Sequence, residues 1–129
     1  MQGFRQKPKK NSSLATEHED QVALFQWLGL TYPEVAVFAI PNGGKRNLLV
    51  AAKLKLEGVK AGVPDIFVAE PCGAAHGLFI ELKRERGGSV SDNQKRWRAL
   101  LLERGYQVAI CHGLKAAQEI ISGYLDGAN

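Results

Sequence analysis

The sequence predicts an α/β domain in which a mixed central sheet is flanked by helices. Stretches with helical periodicity alternate with short apolar runs typical of strands, and glycine and proline clusters separate them, in the order α-β-α-β-β-α-β-α. The chain of 129 residues, 45% of them hydrophobic and 23% charged, has the length and composition of one globular domain.

The first half of the chain is predicted to form two helices with a strand between them. Thr16 can cap a helix with an acidic first turn, and Gly29 and Pro33 limit its extent. The apolar run VAVFAI at 35–40 ends in Pro-Asn-Gly-Gly, which indicates a buried strand followed by a loop. The second helix is predicted over 48–57, before a glycine.

The second half is predicted to contain three strands and two helices. Strands are expected at 65–69, 78–83 and 106–111, and the last helix at 115–125. The sequence Ser-Asp-Asn-Gln has the form of a capping box that begins a further helix over 91–104. In the strand LFIELK at 78–83, the leucines and the isoleucine point to one face, and the Phe, Glu and Lys side chains point to the other.

Surplus positive charge is concentrated at the N-terminus. Residues 1–14 contain four Lys or Arg and no acid, whereas the remainder has equal numbers of basic and acidic residues. We therefore expect a basic arm over 1–14 and one domain over 15–129. The arm either holds phosphates electrostatically or serves only as a solubilising terminus.

Several classes of protein and site are not supported by the sequence. No apolar run approaches the roughly 20 residues of a membrane span, and the basic start lacks the apolar core of a secretory signal, so a cytosolic protein is expected. Cys72 and Cys111 are too few for a disulfide scaffold. Zinc is not favoured because Cys111 and His112, as strand neighbours, point to opposite faces. Trp27 and Trp97 recur with leucines at helical spacing, which favours core positions over base stacking.

The most informative residues are two acids and a lysine on neighbouring strands. If the two central strands pair as a hairpin, Asp65 comes within reach of Glu81 and Lys83, and Pro64 places Asp65 at a strand start and sheet edge. Two converging carboxylates suit Mg²⁺ or Mn²⁺, and the lysine can orient or help deprotonate water, or balance charge at a phosphate. Alternatively, Glu81 and Lys83 lie on a solvated face and only pair their charges.

Four stretches of the chain carry a family resemblance and cover nearly all of it except the arm. They are EHEDQVALFQWL (17–28), FAIPNGGKR (38–46), KAGVPDIFV (60–68) and GLFIELKRERGGSVSDNQKRW (77–97). The chain resembles the VRR-NUC nucleases, a branch of the PD-(D/E)xK superfamily found in phages and in DNA-repair enzymes. Single-domain phage members are the most similar in layout, which would place the protein in a bacterial host cell if it is phage-encoded.

The resemblance implies a fold, an activity and roles for individual residues. It implies a restriction-endonuclease-like core and Mg²⁺- or Mn²⁺-dependent phosphodiester hydrolysis, often on branched DNA. Asp65 and Glu81 would bind metal, and Lys83 would be the catalytic lysine. Gln94 matches the glutamine that follows the family's E-x-K strand and would face the site, although the third position of a capping box favours Glu or Gln in any case.

The resemblance also implies a metal-binding acid on the first helix. Glu17 lies four residues before Gln21, so the two share a face, and this spacing fits the family best. Glu19 is the second choice. Either acid can instead serve only the helix dipole.

Basic residues occur where DNA would need them. Lys45 and Arg46 follow a Gly-Gly loop whose N–H groups could approach phosphate, and Arg84, Lys95 and Arg98 bracket the proposed site in sequence. A solvated helix face explains Lys95 and Arg98 equally well. Nothing in the pattern resembles a code for reading bases.

Together these features predict a metal-dependent DNA endonuclease that acts as a homodimer on branched DNA such as a four-way junction. One domain carries one candidate site, whereas a junction needs two symmetric cuts, which a two-fold dimer supplies. Residues 48–52 and the C-terminal helix are candidate contact surfaces, and each could equally belong to the core. The alternatives are a nonspecific or restriction-type nuclease and a catalytically silent nucleic-acid-binding module.

Overall fold

Four helices and four strands follow one another in the predicted order. The computed structural model describes residues 14–41 and 47–127. These ranges contain α1 (Glu17–Thr31), β1 (Val37–Ala39), α2 (Leu48–Leu56), β2 (Ile66–Val68), β3 (Leu78–Lys83), α3 (Asp92–Glu103), β4 (Gln107–His112) and α4 (Leu114–Asp126). The predicted α/β class with a mixed sheet and flanking helices is confirmed.

Two of the helices begin at capping boxes encoded by the local sequence. At the start of α1, the Glu19 N–H donates to Thr16 Oγ1, and the Thr16 N–H donates to the Glu19 carboxylate, both at 3.0 Å. At the start of α3, Ser91 and Gln94 make the same reciprocal pair. Because these bonds satisfy N–H groups that a helix leaves unpaired, they fix where each helix begins.

The register of the sheet brings the predicted site residues together. The strand order is β1-β2-β3-β4; β1, β2 and β3 pair antiparallel, and β4 runs parallel to β3 after the α3 crossover. In the β2–β3 pair, Ile66 lies opposite Ile80. The residue before Ile66 therefore lies across from the residue after Ile80, which places Asp65 beside Glu81.

The two faces of the sheet have different coverings. On one face, Leu24 and Leu28 of α1 and Ile121 of α4 pack with the inward side chains of β2 and β3 in the buried core. The other face carries aromatic rings, with Phe67 stacked on Phe79 at a centroid distance of 4.4 Å. Glu81 and Lys83 follow Phe79 on that second face, as period two predicts.

The short strands differ from the prediction in length and position. The apolar runs at 35–40 and 65–69 each contribute only three strand residues. The prediction that Asp65 lies at a sheet edge is wrong, because β2 lies between β1 and β3 and Asp65 immediately precedes it. Pro64 is therefore outside the ladder, where its missing N–H removes no strand hydrogen bond.

The two tryptophans occupy different environments. Trp27 packs against the core, as predicted. The prediction for Trp97 is wrong: its half-buried side chain does not join the core cluster but lines a cavity between α2 and α3. Helical spacing with leucines determines on which face of α3 Trp97 lies. It does not determine which other part of the chain packs against that face.

The two stretches predicted as possible contact surfaces belong to helices α2 and α4, which differ in burial. α2 has no buried residue, and Leu48 and Leu49 are 86% and 83% exposed, so residues 48–52 are not core. By contrast, α4 buries Ala117 and Ile121 against the sheet. Three leucines of α2, Leu48, Leu49 and Leu56, are thus almost fully exposed.

Some predictions concern residues outside the described ranges. These are the basic arm, apart from its last residue, and the pair Lys45 and Arg46. Within the described ranges, no helix has both the length and the apolar character needed to cross a membrane.

Candidate active site

The site is built where β2 begins and β3 ends. Asp65 immediately precedes β2, and its Oδ2 accepts a 2.8 Å hydrogen bond from the Leu82 backbone N–H of β3. The Asp65 side chain also shares a hydrogen bond with the Glu81 side chain. The hairpin therefore holds two carboxyl groups against each other, with one of them anchored to the backbone.

Gln94 joins the remaining site residues into one network. Its Nε2 donates to Glu81 Oε2 at 2.8 Å, while its Oε1 accepts from Lys83 Nζ at 3.1 Å and from the Ser91 N–H at 2.9 Å. Lys83 Nζ lies 3.8 Å from Glu81 Oε2. Gln94 therefore has both of the roles that the sequence left open. Its amide completes the capping box of α3, and the same amide orients Glu81 and Lys83.

Burial distinguishes this arrangement from a solvated pair of charges. Glu81 is 6% exposed and Lys83 is 9% exposed, so the alternative of a solvated strand face is wrong. Burial, followed by the negative charge of Asp65, raises the pKa of Glu81 to about 8. Burial likewise raises the pKa of Asp65. Near neutral pH and without a cation, the two carboxyl groups therefore retain a proton between them.

The two candidate acids at the start of α1 have different surroundings. The charge of Glu17 contributes to the raised pKa of both Asp65 and Glu81, so Glu17 lies within electrostatic reach of the pair. The carboxylate of Glu19 is instead occupied by the capping box with Thr16. Of these two acids, Glu17 is the one whose charge acts on both Asp65 and Glu81.

Asp20, the third acid in the first turn of α1, is buried, and it was not chosen from the sequence as the helix-borne acid. It is 6% exposed, and burial, then the charges of Glu85, Glu19 and Glu17, raises its pKa. A signal was present, because Asp20 lies four residues before Leu24 and so shares its inward face. The charges of Asp20 and of the two acids before it in the first turn of α1 therefore interact with one another.

Exposed basic side chains flank the site. Arg84 directly follows Lys83 in the chain, and Lys95 directly follows Gln94. Arg98 lies one helical turn after Gln94 and therefore on the same side of α3. All three are exposed, which suits contacts to phosphate in a substrate.

The donor set fits a hard divalent cation completed by water and substrate. Within residues 14–41 and 47–127, no group of three or more His, Cys, Asp or Glu side chains converges as a ready metal cage. Mg²⁺ typically binds through only one or two carboxylates and keeps several waters, and Asp65 and Glu81 supply such a pair. Cys111 is buried in the core, with burial raising the pKa of its thiol to about 11, which disfavours a zinc thiolate.

Comparisons with known proteins agree with this geometry. The family model described as the VRR-NUC domain matches residues 11–115. A solved structure titled "VRR_NUC domain protein" is similar over 87% of this chain and 89% of its own, with 28% identity and a TM-score of 0.74. A comparison with curated protein sequences finds no match. The chain therefore belongs to the VRR-NUC family, a nuclease-type family whose model covers most of its length.

Proposed function

We propose that this protein is a Mg²⁺- or Mn²⁺-dependent endonuclease that hydrolyses DNA phosphodiester bonds at Asp65, Glu81 and Lys83. One observation carries the proposal: the buried carboxyl group of Glu81 lies against the half-buried carboxyl group of Asp65 beside a lysine, and Gln94 holds Glu81 and Lys83 together. Burying two like charges is unfavourable unless a cation compensates them. A protein that only bound DNA would gain nothing from acids placed where phosphate approaches.

Asp65 and Glu81 would hold the cation directly, and Glu17 would act through an intervening water, since these three acids do not form a closed cage. A cation bound there would supply Lewis acidity at the phosphate and lower the pKa of a bound water. Mg²⁺ and Mn²⁺ fit better than zinc because every donor is a carboxylate oxygen.

The protein side chains supply position and charge. The Leu82 N–H holds Asp65, and Gln94 restrains the Glu81 carboxyl and the Lys83 ammonium at the same time. Lys83 Nζ is thereby kept beside the acids, where it can orient the attacking water, help to deprotonate it or balance charge on the phosphate. Gln94 is a positioning residue, because it acts through Glu81 and Lys83.

Cleavage assays with matched metal conditions test the proposal. The protein is incubated with supercoiled plasmid, linear duplex, flap and four-way-junction DNA in Mg²⁺, in Mn²⁺ and in EDTA. We expect cleavage only with a divalent cation. DNA binding without cleavage in either metal, together with no Mn²⁺ binding by calorimetry, would favour the silent binding module instead.

We further propose that two copies form a homodimer that cuts branched DNA such as a four-way junction. One chain supplies one acid pair, whereas resolution of a junction needs two related cuts. The supporting surface is the leucine face of α2, defined as Leu48, Leu49, Ala52 and Leu56, whose leucines are 83% to 90% exposed. Large exposed apolar patches typically mark interaction sites, and a two-fold pairing would bury this face against its copy.

Charged substitutions on the leucine face should dissociate the dimer. The double variant Leu48→Glu/Leu56→Glu is expected to weaken dimerisation by about 100-fold or more, because it buries like charges at an apolar contact. Light scattering at micromolar protein measures the change. Leu30→Glu is the matched control, since Leu30 is equally exposed but lies on α1. A wild-type protein that is monomeric and cuts linear duplex as fast as junctions would exclude this assembly.

Removal of the basic arm should weaken DNA binding mainly at low salt. Residues 1–14 contain four positive charges, so their deletion is expected to reduce the slope of log affinity against log salt by up to about 3.6. Fluorescence anisotropy over a range of KCl concentrations measures the slope. An arm of equal length made of Gly and Ser is the control for chain length. Single-turnover cleavage at saturating DNA should be unaffected, and an unchanged slope would show that the arm does not contact DNA.

A further inference from the structure

A cavity of about 420 Å³ lies between α2, the connection that follows it and the first turns of α3. Its volume falls within the roughly 300–1,000 Å³ typical of small-ligand sites. α2 and the connection each contribute two apolar side chains and one lysine to its lining, and α3 contributes Asn93, Arg96 and Trp97. The residues that carry its chemistry are Lys55, Lys60, Asn93, Arg96 and Trp97.

The lining combines the groups that recognise a nucleotide. Three of its side chains are cationic and none is acidic, which suits a phosphate. Trp97 is half-buried and offers an aromatic surface for a base, and Asn93 offers an amide that can hydrogen-bond a base edge. Arg96 donates a hydrogen bond to Asn93 Oδ1, which fixes the guanidinium at the rim.

The residues that line the cavity are close in the chain to residues of the proposed active site. Asn93 faces the cavity, and the next residue, Gln94, holds Glu81 and Lys83. The backbone of Asn93 also packs against Gly62, where an added Cβ would lie 2.6 Å from the Asn93 carbonyl carbon. Gly62 is three residues before Asp65, so the two segments that form the cavity wall are the two that position the acids.

The leucine face of α2 borders this cavity. Ala51, Leu54 and Lys55 line the cavity, whereas Leu49 and Leu56 point to another side of the helix. Leu48 shares a stripe with Ala51 and Lys55 at i, i+3 and i+7, so it lies at the boundary between the two surfaces.

We propose that this cavity binds one unstacked nucleotide of the substrate strand, close to the phosphate that is cut. The base lies on Trp97, and the neighbouring phosphates contact Lys60 and Arg96. The inference rests on the proposed nuclease function and specifies the form of its substrate. Unpaired nucleotides occur at flaps and strand ends without the work of unstacking a duplex, so the cavity favours such DNA.

Binding measured in EDTA tests the cavity independently of cleavage. The probe is a short single-stranded oligothymidylate, and the readout is tryptophan fluorescence in a Trp27→Phe background, which leaves Trp97 as the emitter. We expect quenching on binding. Trp97→Ala, followed by anisotropy of a labelled oligonucleotide, should weaken binding by about ten-fold, and Trp97→Phe should restore most of the loss.

Charge variants keep the test valid if Trp97→Ala does not fold. Lys60→Ala and Arg96→Ala alter exposed side chains, and each should lower the salt slope for the single strand by about 0.7. Lys115→Ala, an exposed lysine on α4, is the matched control. Absence of Trp97 quenching, or cavity variants that bind like Lys115→Ala, overturns this inference.

The outcomes separate this inference from the proposed function. In one outcome, cavity variants cleave DNA in a metal-dependent way with the affinity and substrate preference of the wild type. That result would overturn only the nucleotide site. Cavity-dependent binding of the oligonucleotide by a protein that cuts no DNA in Mg²⁺ or Mn²⁺ would overturn only the nuclease.

Discussion

Asp65→Asn, Glu81→Gln and Lys83→Ala are each expected to reduce metal-dependent cleavage by about two to four orders of magnitude. The two acid variants would lose cation binding, because Asp65 and Glu81 each provide an oxygen ligand in the same site. Lys83→Ala would instead retain cation binding and lose the chemical step, since Lys83 supplies a positive charge beside the acids. Single-turnover cleavage combined with Mn²⁺ calorimetry distinguishes the two kinds of loss.

The controls for these variants follow from the hydrogen bonds. Glu81→Gln keeps the shape of the side chain and an oxygen that can accept from Gln94 Nε2, so the fold should survive. Arg104→Ala, at an exposed position at the end of α3, should cleave like the wild type. A well-folded Glu81→Gln protein that retained metal-dependent cleavage would falsify the assignment of the site.

Local signals in the sequence were sufficient for the helices and for the order of the elements. The capping boxes at Thr16 and Ser91 fix the starts of α1 and α3 through bonds that span only three residues. The alternation in LFIELK likewise assigns each side chain of β3 to a face. Because these signals are short-range, they did not depend on how the rest of the chain packs.

The features that were missed depend on contacts between distant segments. The apolar sequence of α2 predicts a helix, but its leucines do not reveal whether they meet the sheet or solvent. Trp97 has the spacing of a core residue and lines a cavity instead. Asp65 was correctly predicted to lie beside Glu81. It was not foreseen that β1 pairs with the other side of β2, which makes β2 an interior strand. Which residues meet at the site was therefore more predictable than what surrounds them.

Without a divalent cation, the protein should lose stability as the pH rises from 6 to 8. The folded-state pKa of Glu81 is about 8, well above its ordinary value of 4.5, because burial and the charge of Asp65 disfavour the ionised form. The folded protein therefore keeps a proton that the unfolded chain releases, so the contribution is present at low pH and is lost as the pH approaches 8. The loss over this range is about 2 kcal/mol for one proton.

A bound cation should reverse this loss. Mn²⁺ binds the ionised acids of the folded state, and at about 100 times its dissociation constant it would add about 2.7 kcal/mol to the free energy of unfolding. Urea denaturation in EDTA and in Mn²⁺, at pH 6, 7 and 8, measures both effects. Glu81→Gln should abolish most of the pH dependence and most of the response to Mn²⁺, whereas Glu103→Gln, at an exposed site on α3, should change neither. If the free energy of unfolding had the same pH dependence in the wild type and in Glu81→Gln, the acid pair would ionise without an energetic penalty. The proposed requirement of these acids for a cation would then be wrong.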